Sequence, residues 1–163
     1  KNTKLAYHYQ DGGAYFGVPS NLFFIGMMND VDKSIDAFDL ALRRRFKWIR
    51  KDCDYEVIEQ ETKYRNGDDF SNIDNYVKAC SKLNEFISQD LGMGKSYEFG
   101  HSFFMKISGI ASQKRISTKN LQVLFNLHLR PTLNEYLRAM YPESELDNKL
   151  EEALSNFTKP LDY

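Results

Sequence analysis

The stretch Asn72–Leu91 reads NIDNYVKACSKLNEFISQDL, and its apolar residues recur every three or four positions. This spacing is typical of an α-helix that turns one apolar face towards a core. The apolar set is Ile73, Tyr76, Val77, Cys80, Leu83, Phe86, Ile87 and Leu91. Gly92 and Gly94 follow and should end the helix, because glycine readily adopts the conformation that closes a helix C-terminus. The stretch therefore predicts a long amphipathic helix in a helical domain.

Two further helical patterns follow downstream. Ser117 opens a long one, in which Pro131 should either kink the helix or begin a new one. A last amphipathic stretch begins at Pro142. The apolar residues that share a face in these two patterns are Leu121, Leu124, Phe125, Leu129, Leu133, Tyr136, Leu137 and Met140, and then Leu146, Leu150 and Leu154. We therefore expect a helical domain over residues 51–163.

The first 50 residues have a different pattern. Gly12-Gly13 predicts a hairpin turn between two short extended segments. The apolar run NLFFIGMM, residues 21–28, is typical of a buried strand in an α/β sheet. Ser34 should cap a helix that runs to about Leu42, and RRRFKWI, residues 43–49, returns to an extended pattern. The predicted fold class is an α/β fragment, mainly α, with a strand–helix–strand segment in 1–50 and the helical domain after it.

Composition narrows the classes of function. The 163 residues carry 22 basic and 23 acidic side chains, and this balance argues against a general binder of nucleic acid or membrane surfaces. Cys53 and Cys80 make no disulfide framework, which fits a reducing compartment such as the cytoplasm. No apolar run approaches the roughly 20 residues of a membrane span. Since Lys1 is not an initiator methionine and no signal peptide follows it, we expect the chain to be a fragment.

Neither a phosphate loop nor a metal site is predicted. GMGKS, residues 92–96, resembles the end of a phosphate loop, but the required first glycine is replaced by Gln89 and a helical pattern precedes it. In DVDKSIDAFDLA, residues 30–41, a calcium loop would need Gly at Ile35 and Glu at Ala41. The three histidines show no zinc-ligand spacing with one another or with the cysteines.

Two features between residues 21 and 46 could carry phosphate chemistry. Asn29 follows the predicted strand, and ligands of open α/β sheets bind at the carboxyl ends of strands. About one helix later come Arg43, Arg44 and Arg45. Three arginines at a helix end could simply favour the helix dipole and solvate a surface. Alternatively, one of them could neutralise the charge that develops on a phosphoryl group in a neighbouring subunit.

The stretch VPSNLFFIGMMNDVDKSIDAFDLALRRRF, residues 18–46, resembles the McrB family of AAA+ motors, the nucleotide-driven subunits of modification-dependent restriction systems. That family has a Val-Pro-x-Asn-Leu lead-in, a strand ending Gly-Thr-Met-Asn-Thr-Ala-Asp and a helix ending Ala-Leu-Arg-Arg-Arg-Phe. GHSFFM, residues 100–105, is similar to Gly-His-Ser-Tyr-Phe in the helical lid of the family, and LRPTLNEYL, residues 129–137, to its Ile-x-Pro-Leu-Leu-x-Glu-Tyr. These matches cover residues 5–140.

The resemblance implies a role for each candidate residue. Asn29 would be the sensor near the terminal phosphate, and Asp32 would lie where the endonuclease partner can bind. Arg44 is the first choice for an arginine finger acting in trans, and Arg45 the second. His101 lies in the lid near the usual place of a second sensor, although a capping or packing histidine explains it equally well.

The resemblance also implies cofactors and partners. ATP or GTP with Mg would bind the parent protein between core and lid, in a ring of identical subunits, a hexamer, that works with a McrC-like endonuclease subunit and moves DNA. The phosphate loop and the acidic magnesium motif are expected before Lys1, so the fragment alone should be inactive. Two alternatives remain: another AAA+ motor of MoxR or dynein-related type, and a helical DNA-binding or interaction module that uses Arg43–Arg45.

Overall fold

The computed structural model describes residues 3–4, 15–16, 20–28, 31, 44–66, 70–111 and 114–161. The chain divides into two units, Lys1–Asp32 and Lys33–Tyr163. The domain boundary that the sequence predicts near residue 50 stays a prediction.

The first unit contains a short antiparallel pair of strands, β1 (Thr3–Lys4) and β2 (Tyr15–Phe16). Thr3 lies opposite Phe16, and Lys4 lies opposite Tyr15. This pairing agrees with the predicted hairpin, although the glycine turn itself lies outside the described residues.

Residues 22–28 differ from the prediction of a buried strand. They adopt neither helix nor strand, and their side chains are largely exposed. A central strand is buried only when neighbouring strands and helices cover it, and β1 and β2 pair only with each other in the described part of the chain. The predicted helix from Ser34 to Leu42 lies outside the described residues. Residues 44–46 form a turn, and residues 47–50 pair with no strand in the described part of the chain. The strand–helix–strand segment therefore remains a prediction.

The second unit is helical from residue 55 onwards, and its elements follow one another closely. They are α1 (Tyr55–Asn66), α2 (Ile73–Glu85) with a π-helical turn (Phe86–Asp90), a 3-10 turn (Lys95–Tyr97), α3 (His101–Phe104) with a 3-10 turn (Met105–Gly109), α4 (Thr118–Leu124) with a π-helical turn (Phe125–Leu129), α5 (Arg130–Arg138), α6 (Glu143–Thr158) and a final 3-10 turn (Lys159–Leu161).

The three predicted helical stretches are confirmed. The apolar face of α2 is buried, and Gly92 and Gly94 close it with φ angles of 65° and 84°. Ser117 caps α4 in a reciprocal box: its Oγ accepts from the Asn120 backbone N–H, and the Asn120 Oδ1 accepts from the Ser117 backbone N–H. Pro131 lies in the first turn of α5, where a missing N–H costs little, so it begins a new helix after a π-helical turn.

Aromatic rings from four segments fill the centre of the helical unit. The ring of Phe157 on α6 lies 6.2 Å from that of Phe104, 6.4 Å from that of Phe125 and 6.5 Å from that of Tyr76, measured between centroids. All four side chains are fully buried. The Tyr76 hydroxyl is satisfied by donating to the Phe104 carbonyl oxygen at 2.6 Å. Among the described residues, no helix has the length and apolar character needed to cross a membrane.

Candidate functional site

The predicted site residues fall in three places. Asn29 and Asp32 lie outside the described residues. Arg44 and Arg45 are exposed in the turn at residues 44–46, and His101 is the half-buried first residue of α3. In the described part of the chain, His101 contacts the segment that follows the arginines rather than the arginines themselves. The roles assigned to all five residues stay predictions.

Two segments meet where the chain enters the helical unit, and we call their contact region the junction. One segment is Arg50–Tyr55, which leads into α1, and the other is Ser96–His101, which leads into α3. Arg50 connects them at one end, since its Nη1 donates to Ser96 Oγ at 3.3 Å. The same guanidinium pairs through Nε with Asp52 Oδ1. Because both charges are about half exposed, this ion pair contributes little to stability.

Asp54 and His101 form the middle of the junction. The Asp54 backbone N–H donates to His101 Nδ1 at 3.4 Å. The Asp54 side chain caps α1, since its Oδ1 accepts from the backbone N–H groups of Glu56 at 3.1 Å and Val57 at 3.3 Å. His101 is therefore engaged with the start of α1.

Asn84 on α2 forms hydrogen bonds with both segments of the junction. Its side chain is 1% exposed. Its Nδ2 donates to the Phe99 carbonyl oxygen at 2.9 Å and to the Tyr55 hydroxyl at 3.1 Å, while its Oδ1 accepts from the Phe99 N–H at 2.8 Å. Sequence reasoning missed Asn84. The available signal was a polar side chain on the apolar face of α2, between Cys80 and Ile87.

Burial and nearby carboxylates set the electrostatics of the junction. Burial raises the pKa of the Cys53 thiol to about 12, and the charges of Glu98 and Asp54 add to this effect. Burial likewise raises the pKa of Tyr55 to about 12, against the opposing hydrogen bond from Asn84. Cys53 is thus a protonated thiol at neutral pH, which makes it a poor nucleophile and a poor metal ligand.

The junction is not suited to bind a phosphate or a metal by itself. The open recess beside it is lined by residues 52–56, which include the carboxylates of Asp52, Asp54 and Glu56, and these would repel a phosphate. No group of three or more His, Cys, Asp or Glu side chains in the described ranges could hold a metal ion. What the arrangement can do is fix the chain that follows Arg44 and Arg45 to the helical unit.

The GMGKS sequence has a structural role next to the junction. Gly94 has φ 84° and ψ 167°, a conformation open essentially to glycine alone, and Lys95 begins a 3-10 turn. A π-helical turn precedes this segment, whereas a phosphate loop follows a buried strand. The helical context predicted from the sequence is confirmed, and it supports rejecting a phosphate loop here.

Comparison with known proteins gives two matches. Residues 75–142, from within α2 to just after α5, match the family model described as McrB, alpha-helical lid domain. The chain is also similar to the Type IV methyl-directed restriction enzyme EcoKMcrB subunit of Escherichia coli (strain K12), with 30% identity over 138 residues. That alignment covers 83% of this chain and 30% of the relative, so the chain spans less than a third of that protein. No solved structure matches the chain.

Proposed function

The chain belongs to a McrB-like family, in which it includes the helical lid region, and on this premise we propose that it is part of the nucleotide-hydrolysing motor subunit of a restriction system. The observation that carries the proposal is the extent of the similarity. The match to the relative covers 138 residues, whereas the lid match covers only residues 75–142, so the similarity continues into sequence outside the lid. The arginine motif at residues 43–46 lies in that additional sequence.

In the proposed reaction, ATP or GTP with Mg supplies the terminal phosphoryl group, and its phosphate loop lies outside these 163 residues. Asn29 would orient the attacking water or contact the terminal phosphate. Arg44 would enter the site of a neighbouring subunit and neutralise charge in the transition state, with Arg45 as the second choice. The exposure of both arginines supports this assignment, because a residue that acts in trans must protrude from its own subunit.

The proposal also covers the partners of the parent protein and its location in the cell. The parent protein would form a ring of identical subunits, a hexamer, in the cytoplasm. A McrC-like endonuclease subunit would bind near Asp32, and hydrolysis would drive the movement of DNA, which contacts parts of the parent outside this chain. The chain alone should not hydrolyse nucleotide. Turnover by the isolated chain that disappears on Lys95→Ala would contradict this expectation.

The test of Arg44 uses the full-length parent. Arg44→Ala should abolish turnover while leaving nucleotide binding nearly intact, since a finger acts in the transition state and its loss costs roughly 10³–10⁵ in rate. Mixing Arg44→Ala with a variant that is dead in its phosphate loop should restore part of the activity, because each supplies what the other lacks. Arg115→Ala, at an exposed arginine of the loop before α4, is the matched control and should keep wild-type turnover. Failure to restore activity in normally assembled rings would exclude a role in trans.

Asn29 is tested by separating turnover from stability. As a sensor, Asn29→Ala should slow hydrolysis strongly at an unchanged melting temperature. If Asn29 instead stabilises the turn after the predicted strand, as asparagine often does, the melting temperature should fall while turnover per folded molecule stays constant.

A further inference from the structure

We propose that His101 is a positioning residue, which holds the segment Arg50–Tyr55 on the lid and thereby fixes how Arg44 and Arg45 are presented to a neighbouring subunit. This inference rests on the proposed function, since the role of the arginines comes from it. Of the two roles that the sequence leaves open for His101, the proposal takes the packing role and sets aside the second sensor.

Three contacts attach Arg50–Tyr55 to the lid, and they are spread along the whole segment. Arg50 bonds to Ser96 at the beginning, Asp54 to His101 near the end, and the Tyr55 hydroxyl to Asn84 at the start of α1. The three contacts together fix the direction of the segment, and without His101 the segment loses the one contact that lies between the two ends. The Asp54–His101 contact is also coupled to α1, because the same aspartate caps that helix.

Arg44 and Arg45 are close enough in sequence to Arg50–Tyr55 for the direction of that segment to affect where they lie. Arg50 follows Arg45 by five positions, and an extended chain spans at most about 3.3–3.6 Å per residue, so their backbones lie within about 18 Å. Residues 47–50 form no helix or sheet of their own. The junction begins at Arg50, five positions after Arg45, so a loose junction would spread the positions that the two guanidinium groups occupy.

The surroundings of His101 favour positioning over phosphate sensing. Its Nδ1 is already engaged by the Asp54 backbone N–H. The adjoining recess is acidic, with Asp52, Asp54 and Glu56 lining it. A side chain that senses a phosphate works best among positive charges and free N–H donors. His101 instead accepts a hydrogen bond from the backbone of Asp54, a residue that lines this acidic recess.

The two roles make opposite predictions for mixed rings of the parent protein. If His101 acts through the arginines, His101→Ala weakens the group that its subunit supplies in trans, as Arg44→Ala does. Rings that mix the two variants should then show no recovery above the activity of rings made of His101→Ala alone, because every subunit presents a defective arginine. If His101 senses nucleotide in its own subunit, a His101→Ala subunit still supplies a good arginine to the intact site of an Arg44→Ala subunit. Recovery of activity in this mixture would overturn the proposal.

Single variants give the second readout. We expect His101→Ala to lower kcat by about 10-fold to 100-fold, the cost of a misplaced catalytic group, with an unchanged Kd for nucleotide. His101→Asn should keep turnover near wild type, since an asparagine oxygen can accept the Asp54 N–H from about the position of Nδ1. His128→Ala, at another half-buried histidine of the lid, is the matched control and should have no effect.

Each outcome bears on a definite claim. If the wild-type parent turns over nucleotide, three results would each overturn the positioning role alone. They are an unchanged kcat in His101→Ala, a raised Kd for nucleotide in that variant, and a His101→Asn variant as poor as His101→Ala. Absence of turnover in the wild-type parent would overturn the proposed function, and the inference with it. A lowered kcat, an unchanged Kd and no recovery with Arg44→Ala would support it.

Discussion

Apolar residues in two regions of the molecule have opposite surroundings. In the run at residues 22–27, Phe23, Ile25 and Met27 are 85%, 96% and 100% exposed. In the π-helical turn after α2 and on α4, Ile87 and Leu121 are completely buried. The side chains are of similar type, so the difference comes from what surrounds them and not from composition.

The two kinds of backbone explain this difference. A helix pairs its own N–H and C=O groups and needs cover for one face only, so a few helices close a core among themselves. A central strand needs a hydrogen-bonding neighbour on each side and cover on both faces. The helical unit completes its core within residues 55–161, whereas the run at 22–27 has no such cover in the described part of the chain. The helical unit should therefore depend on individual core residues, and the exposed run should not.

The largest expected effect tests this contrast with one residue type. Phe157→Ala removes the ring that packs against Tyr76, Phe104 and Phe125, and such a cavity costs about 3–5 kcal/mol of unfolding free energy. Phe23→Ala is the matched variant and should change it by less than about 0.5 kcal/mol, because the ring is already exposed. Urea unfolding followed by circular dichroism measures both. Equal losses would mean that the exposed run is buried in solution.

A buried asparagine gives the next largest effect. Asn84→Ala leaves both the N–H and the C=O of Phe99 without a partner inside the core, and each unsatisfied group carries a desolvation cost. We expect the unfolding free energy to fall by about 2–3 kcal/mol. Asn126→Ala, at an exposed position of the π-helical turn after α4, should be nearly neutral. A neutral Asn84→Ala would show that the junction is hydrated and loosely held.

The helical unit was more predictable from sequence than the candidate site. The faces of α2, α4 and α6 follow a 3.6-residue period, and Gly92 and Gly94 mark the end of the first helical stretch, so local rules sufficed. Helix α1 was missed because its sequence, YEVIEQETKYRN, has few apolar positions and is held by Asp54 capping and by packing. The junction was also missed, because Asn84 and His101 contact residues 15 and 47 positions away, and no periodicity reports such pairs.

A third prediction concerns the backbone next to the junction. Gly94→Ala forces a Cβ into a conformation with φ 84° and ψ 167°, and such strain costs about 1–2 kcal/mol although nothing lies within 4 Å to clash. Gly109→Ala is the matched variant, since its site is equally open and its φ is not positive, so it should be neutral or slightly stabilising. Melting temperatures of the two variants test this. Equal values would mean that the turn at Gly94 relaxes without cost.

The smallest expected effect is on the reactivity of Cys53, which shows where along the chain the packed unit begins. Cys53 lies between the exposed residues 44–50 and the start of α1, and burial raises its pKa from 9.0 to about 12. The thiolate, which is the reactive form, is therefore rarer in the folded chain than in the unfolded chain at the same pH. At mildly alkaline pH, labelling of Cys53 by a disulfide reagent should be at least about tenfold slower in the folded chain than in urea.

The same shift determines how stability depends on pH. Because the folded state keeps the thiol proton to higher pH than the unfolded state does, the contribution of Cys53 is complete below about pH 9 and is lost as pH rises towards 12. Cys53→Ser does not titrate in this range, so the variant should lose less stability than wild type between these two pH values. The slope that remains comes from other groups with raised pKa values, such as Tyr55 and Cys80. If folded and unfolded chains were labelled at the same rate, Cys53 would belong with the exposed segment, and the packed unit would begin later, at α1.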